Sequence, residues 1–153
     1  MEIPTNPELE IYHRRLPHWR LEGRTYFITW RLHSKQKPLT PSEKDLVASA
    51  LRHFEGTRYS LFAFVVMDDH VHILFSLMER FELKSILHSW KSFTGHKLSS
   101  DFKRPAPVWQ DESFDRIVRT EAEFLEKGNY ILNNPRKKWP ELEDYSWFGL
   151  GKG

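Results

Sequence analysis

The run "YSLFAFVVMDDHVHILFSL", Tyr59 to Leu77, constrains this chain more than any other stretch. Its first half, Tyr59 to Met67, is apolar on both faces, which suits a strand placed centrally in a sheet. Asp68 and Asp69 can turn the chain, and "HVHILFSL" can return as a strand paired to the first. Side chains alternate along a strand, so Val71, Ile73, Phe75 and Leu77 share one face and His70, His72, Leu74 and Ser76 share the other. The apolar set is expected to face the helices, leaving two imidazoles together on the second face.

The flanking sequence supplies partners for this hairpin. "TYFITWRL" (Thr25 to Leu32) is rich in aromatic and β-branched residues and predicts another strand. "LTPSEKDLVASALRHFEG" predicts a helix with Thr40 as N-cap, Pro41 at its first position, Glu43 completing a capping box and Gly56 closing the end. Glu82 to about Ser99 carries a second helical pattern, with Leu83, Ile86, Leu87, Trp90 and Leu98 near one face. "VWQDESFDRIV" predicts a last extended segment, and "TEAEFLEKGNYILNNP" a final helix with Thr120 and Glu123 as a second capping box and Pro135 as its stop. The order β-α-β-β-α-β-α predicts an α+β fold, a ferredoxin-like antiparallel sheet with helices on one face. At 153 residues one domain spanning 1–153 is expected, with a basic-aromatic N-terminal segment and a short C-terminal tail.

Several chemistries are excluded by composition. With no cysteine there is no disulfide, thiolate nucleophile or Cys-ligated zinc, so any metal must use His and oxygen ligands. The absence of a long apolar run argues against a signal peptide or membrane span, and a cytoplasmic protein is expected. Net charge is only +2, yet between His13 and Lys37 seven Lys and Arg face one acid, Glu22. Arg14, Arg15, Arg20, Arg24 and Arg31 interleave there with aromatics including Trp19 and Trp30, a mixture suited to phosphates and stacked bases. It also suits a strand with a solvated face. The same two readings hold for Lys84 and Lys91 on the second helix and for Arg136, Lys137 and Lys138.

His70 and His72 stand roughly 7 Å apart along the strand, close enough to converge on one cation. An H-x-H pair alone fits equally well two partly buried histidines bonded to backbone or water. The last helix adds two candidates, because Tyr130 and Asn134 lie one turn apart on the flank of its apolar arc. A phenol beside a cation is suited to attacking a phosphodiester, since the cation neutralises charge on a non-bridging oxygen. By itself Tyr130 also reads as a core tyrosine at a helix end.

"MDDHVHILFS" resembles the HUH motif of single-tyrosine transposases, and "YILNNP" resembles the tyrosine-helix motif of that group. "RRLPHWRLEGRTYFITWRL", "SWKSFTGHKL" and "VWQDESFDRIVR" are similar to segments of the REP-associated tyrosine transposases, so the resemblance runs from Tyr12 to Asn134. It implies that His70, His72 and Asn134 are metal ligands and that Tyr130 is the nucleophile. The chain departs from the family in carrying Asp68-Asp69 where Pro-Asn is usual, which places candidate carboxylates behind the metal ligands. It departs again after "NNP", where "RKKWPELEDYSWFG" replaces a Val-Lys-Ala-Gly-like segment.

The resemblance implies a metal-dependent single-strand DNA endonuclease and strand transferase that acts on palindromic hairpin DNA through a 5′-phosphotyrosyl intermediate. The cofactor expected is Mg²⁺ or Mn²⁺, with imidazole ligands favouring Mn²⁺. The partner expected is single-stranded or hairpin DNA bound by a monomer or homodimer, with Arg14, Arg15, Trp19, Arg20, Arg24, Trp30, Arg31, Lys84 and Lys91 as its candidate contacts. Two rivals are a DNA or RNA hairpin-binding module without catalysis and a phosphodiesterase that activates water.

Overall fold

Strand β1 (Thr25–Leu32) is followed by helix α1 (Pro41–His53), strands β2 (Tyr59–Val66) and β3 (His70–Leu77), helix α2 (Leu83–Phe102), strand β4 (Trp109–Ile117), helix α3 (Glu121–Lys138) and strand β5 (Phe148–Leu150). This is a computed structural model, and it describes residues 24–139 and 145–150. The sheet has the order β4-β1-β3-β2-β5 and every pair is antiparallel. The first four strands therefore have the ferredoxin-like arrangement expected of the α+β pattern, and the short β5 extends the β2 edge.

The hairpin sits where its apolarity requires, since β3 pairs on both sides and every residue of β2 except Ser60 is buried. A bulge between Leu61 and Ala63 lets both Leu61 and Phe64 face the same side, opposite Phe75 and Ile73. On that side Ile28, Trp30, Leu61, Phe64, Ile73 and Phe75 pack with α1 and α2 through Val47, Leu51, Ile86 and Trp90. Helix α3 is on the other side. Its Phe124, Ile131 and Leu132 join Phe27, Phe62, Val65 and Leu74 in a second core. The expectation of helices on one face thus holds for α1 and α2 and is corrected for α3: the bulge leaves Phe62, Ala63 and Val65 on the second face as well, and that apolar surface needs its own cover.

Local signals account for most element ends. Thr40 and Glu43 form the expected capping box, with Oγ1 accepting from Glu43 N at 3.3 Å and Oε1 accepting from Thr40 N at 3.0 Å. The second box is only half made. Thr120 Oγ1 accepts from Glu123 N, but the Glu123 carboxylate turns to Arg116 at 2.7 Å instead. Pro135 is not a stop either, because α3 continues through it to Lys138. The last turn is held from outside the helix by Lys138, whose Nζ reaches Asp68 at 3.0 Å.

The turn between β2 and β3 ties several elements together. Asp68 accepts from Lys44 of α1 at 2.6 Å and from Lys138 of α3, while its backbone oxygen accepts from Leu39 N and that of Asp69 from Leu32 N. Buried Lys44 also lies 4.8–5.6 Å from the ring centroids of Trp139, Tyr145 and Trp147, which fastens the C-terminal segment to α1. Gly149 of β5 is required by close approach, since a Cβ there would stand 3.0 Å from the Phe64 ring and closer still to Arg52.

Candidate active site

Three elements bring the site together. β1 and β3 pair with Thr29 opposite His72 and Arg31 opposite His70, so these four residues share the face that α3 covers. On β4, Phe114 stands opposite Thr29 and Arg116 opposite Phe27, on the same face. Helix α3 then lays Tyr130 beside the imidazoles, with its ring centroid 5.1 Å from that of His72, and the His70 and His72 rings are themselves 4.7 Å apart. Phe27 is the floor: it stacks on His72 at 5.6 Å with 17° between planes and meets Tyr130 edge-on at 6.0 Å.

Each imidazole has one nitrogen engaged. His72 Nδ1 is 2.7 Å from Thr29 Oγ1, and His70 Nδ1 is 2.7 Å from Asp69 Oδ1. Burial alone would push the Asp69 carboxyl up, but the hydrogen bond from His70 and the charges of His70, Lys138 and Arg31 hold it below the usual carboxylate range. An ionised Asp69 only accepts, so His70 Nδ1 carries the hydrogen of this bond and leaves Nε2 to point away from Asp69. His72 is 3% exposed, and its Nε2 is buried without a hydrogen-bond partner among the described residues. Burial, with His70 and Arg31 nearby, lowers its pKa to about 3, so the ring is neutral at pH 7.

A neutral imidazole with Nδ1 donating to Thr29 presents a lone pair at the orphaned Nε2, which fits a bound cation. Among the described residues no three His, Cys, Asp or Glu side chains gather as a metal cage. A third ligand drawn from the described residues would therefore be of another type. Asn134, half-buried one turn beyond Tyr130 on α3, has the right chemistry.

The structure sorts the other expected residues. Asp69 lies directly behind His70, whereas the Asp68 carboxylate oxygens accept from Lys44 and Lys138 and anchor two helices. Trp30 is corrected as a stacking residue: it is 1% exposed, packed against Trp90 and Trp109 on the opposite face. The Arg24 guanidinium is committed to the carbonyls of Leu77, Met78 and Phe81, where it braces the turn after β3. Lys91 is committed to β4 through Gln110 O at 2.7 Å, Asp111 O and Ser113 Oγ. Lys84 is exposed on α2, across the sheet from the histidines. Arg31 is exposed and lines the cavity beside His72. Arg14, Arg15, Trp19 and Arg20 lie outside the described residues.

Phe27, Thr29, Phe114 and Lys127 line the same cavity, and for Thr29, Phe114 and Lys127 the sequence offers no functional signal of its own. Thr29 and Phe27 alternate with Arg31 along β1, and Lys127 precedes Tyr130 by one helical turn. Those spacings were visible, but only strand register and the side chosen by α3 give them meaning.

The sheet thus sets an H-x-H strand against a tyrosine on a helix, and comparison with known proteins gives the class to which such a chain belongs. The chain belongs to the family of IS200-like transposases, whose model matches residues 22–134. Among solved structures it is similar to a REP-associated tyrosine transposase bound to a REP hairpin, with TM-score 0.64 and 22% identity over 76% of this chain and 68% of that one. It is also similar to a putative transposase from Deinococcus radiodurans R1, with TM-score 0.54 and 22% identity over 71% of this chain and 88% of that one. No curated protein matches the sequence. Among the described residues no helix is long and apolar enough to cross a membrane.

Proposed function

We propose that the protein nicks and rejoins single-stranded DNA next to a hairpin, with Tyr130 as the attacking group. The observation that carries this reading is the meeting of Tyr130 with His72 at 5.1 Å, from elements separated by a helix and a strand. The Tyr130 side chain is 43% exposed at the mouth of the cavity, so a phosphodiester has access to its hydroxyl. The phenol oxygen forms a bond to phosphorus, the P–O3′ bond breaks, and the departing 3′ oxygen takes up a proton. The products are a 5′-phosphotyrosyl link and a free 3′-hydroxyl, and attack by a returning hydroxyl reverses or transfers the strand.

His70, His72 and Asn134 would hold Mg²⁺ or Mn²⁺, which supplies charge neutralisation at a non-bridging oxygen of the phosphate. Asp69 accepts the hydrogen bond from His70 Nδ1, Thr29 engages His72 Nδ1, and Phe27 stacks on the His72 ring. A hairpin substrate is favoured by the similarity to the transposase solved with a REP hairpin.

The test is incubation with single-stranded hairpin DNA and Mn²⁺ followed by a denaturing gel. A covalent protein–DNA species that disappears in Tyr130→Phe supports the reading. Cleavage that survives Tyr130→Phe points instead to a water-activating phosphodiesterase, and binding without cleavage to a hairpin-binding module.

A further inference from the structure

The cavity beside His72 extends well past it. Its volume is about 600 Å³, enough for a nucleotide, and its far wall is β4. There Phe114 stands 57% exposed, a large apolar ring projecting from a strand into the cavity that Tyr130 lines from α3. Phe114 and Tyr130 both stand edge-on to Phe27, at 6.3 and 6.0 Å, so two accessible aromatic rings rise from one buried floor.

Charge gives this space a direction. Lys127 Nζ lies 5.1 Å from the Phe27 ring centroid, one helical turn before Tyr130, and is held only loosely by Glu126 at 3.7 Å. Arg31 lines the same cavity from β1, so the zone around Tyr130 and the histidines carries cations. Glu112, exposed two residues before Phe114 on the same strand face, puts a carboxylate at the β4 end. A phosphate is repelled from Glu112 and attracted to Lys127 and Arg31, whereas a neutral base is accepted by an exposed aromatic face.

We propose that Phe114 is the stacking platform for the base adjoining the attacked phosphodiester and that Lys127 contacts the phosphate beside it. This inference rests on the reading of Tyr130 as nucleophile and deepens it, by giving the single strand a seat that sets which phosphate reaches the phenol. Phe114 and Lys127 are positioning residues, and neither exchanges a proton or forms a bond.

The test uses the full chain and single-stranded hairpin oligonucleotides carrying 2-aminopurine at each flank position in turn. Binding is expected to quench the probe at one flank position. Phe114→Ala should abolish that quench and weaken binding about 5- to 150-fold. Phe114→Leu, which keeps an apolar contact with Phe27, should behave like alanine, and Phe114→Trp should restore both signals. Lys127→Met should keep the quench while flattening the slope of log K against log salt by about 0.7. If the wild type binds and forms its covalent adduct but Phe114→Ala changes neither quench nor affinity, the platform is refuted while the Tyr130 reading stands. If the quench depends on Phe114 but no adduct forms, the Tyr130 reading fails and the platform survives as a binding device. Absence of both binding and adduct overturns both.

Discussion

Replacing Asp68 by Asn is expected to destabilise the fold without weakening metal binding. Asp68 is the only acid among the described residues shown within reach of Lys44, at 2.6 Å, and Lys44 is buried. Removing the counter-ion of a fully buried pair costs about 3–5 kcal/mol, because the remaining charge is uncompensated. Here the Asp68 side chain keeps 27% exposure and the Lys44 cation also faces three aromatic rings, so we expect a smaller loss, about 2–3 kcal/mol. For a domain of this size that corresponds to a fall in melting temperature of about 4–12 °C. Part of the loss should appear in α3, whose last turn is tied to Asp68 by Lys138. Urea denaturation measures the stability, and a cycle with Lys44→Met isolates the pair, since the double variant should recover part of what Asp68→Asn loses. Calorimetric titration with Mn²⁺ measures the other expectation. A stability loss below about 0.5 kcal/mol, as for an ordinary surface site, together with weakened Mn²⁺ affinity would refute the reasoning and return Asp68 to the cation's surroundings.

The remaining expectations follow from the same contacts. Thr29→Val removes the hydrogen-bond partner of His72 Nδ1 and should weaken Mn²⁺ binding about 10- to 100-fold by titration, with the fold retained by circular dichroism. His72→Ala should weaken it at least as much, and unchanged affinity in both His70→Ala and His72→Ala would make the pair purely structural. Glu43 is buried and bonded to Arg104 through both carboxylate oxygens; burial alone would raise its pKa, but the hydrogen bonds from Arg104 and Thr40 and the Arg104 charge lower it. A folded pKa below the unfolded one means stabilisation that is complete above about pH 4.3 and is lost as pH falls through the folded value. Glu43→Gln should therefore be less stable than the wild type near neutral pH, and its urea midpoint should converge on that of the wild type in acid; a constant difference down to pH 2 would disprove the linkage.

Sequence alone determined the elements that local chemistry controls. The bounds of β1 and β3, the capping box at Thr40 and Glu43 and the pairing of His70 with His72 on one strand face all follow from periodicity and nearest-neighbour hydrogen bonds, which act within a few residues. The Tyr130 and Asn134 flank was likewise legible, because helical spacing is a local property. Only the tertiary structure decided which face of the sheet α3 covers, and hence that Tyr130 meets His72. That choice depends on the bulge at Phe62 and on apolar area distributed over β1, β2 and β3, which no single window contains. Long-range contacts also reassigned residues that look alike in sequence. Asp68 and Asp69 are adjacent and chemically identical, yet one anchors two lysines and the other sits behind His70. Trp30 departs from its expected role for a related reason: a strand aromatic is a stacking platform or a core residue according to the layer beneath it, and α2 with Trp90 makes it core. The exposed ring that the site does present, Phe114, comes from β4, whose place beside β1 is a matter of sheet order and therefore of the whole fold.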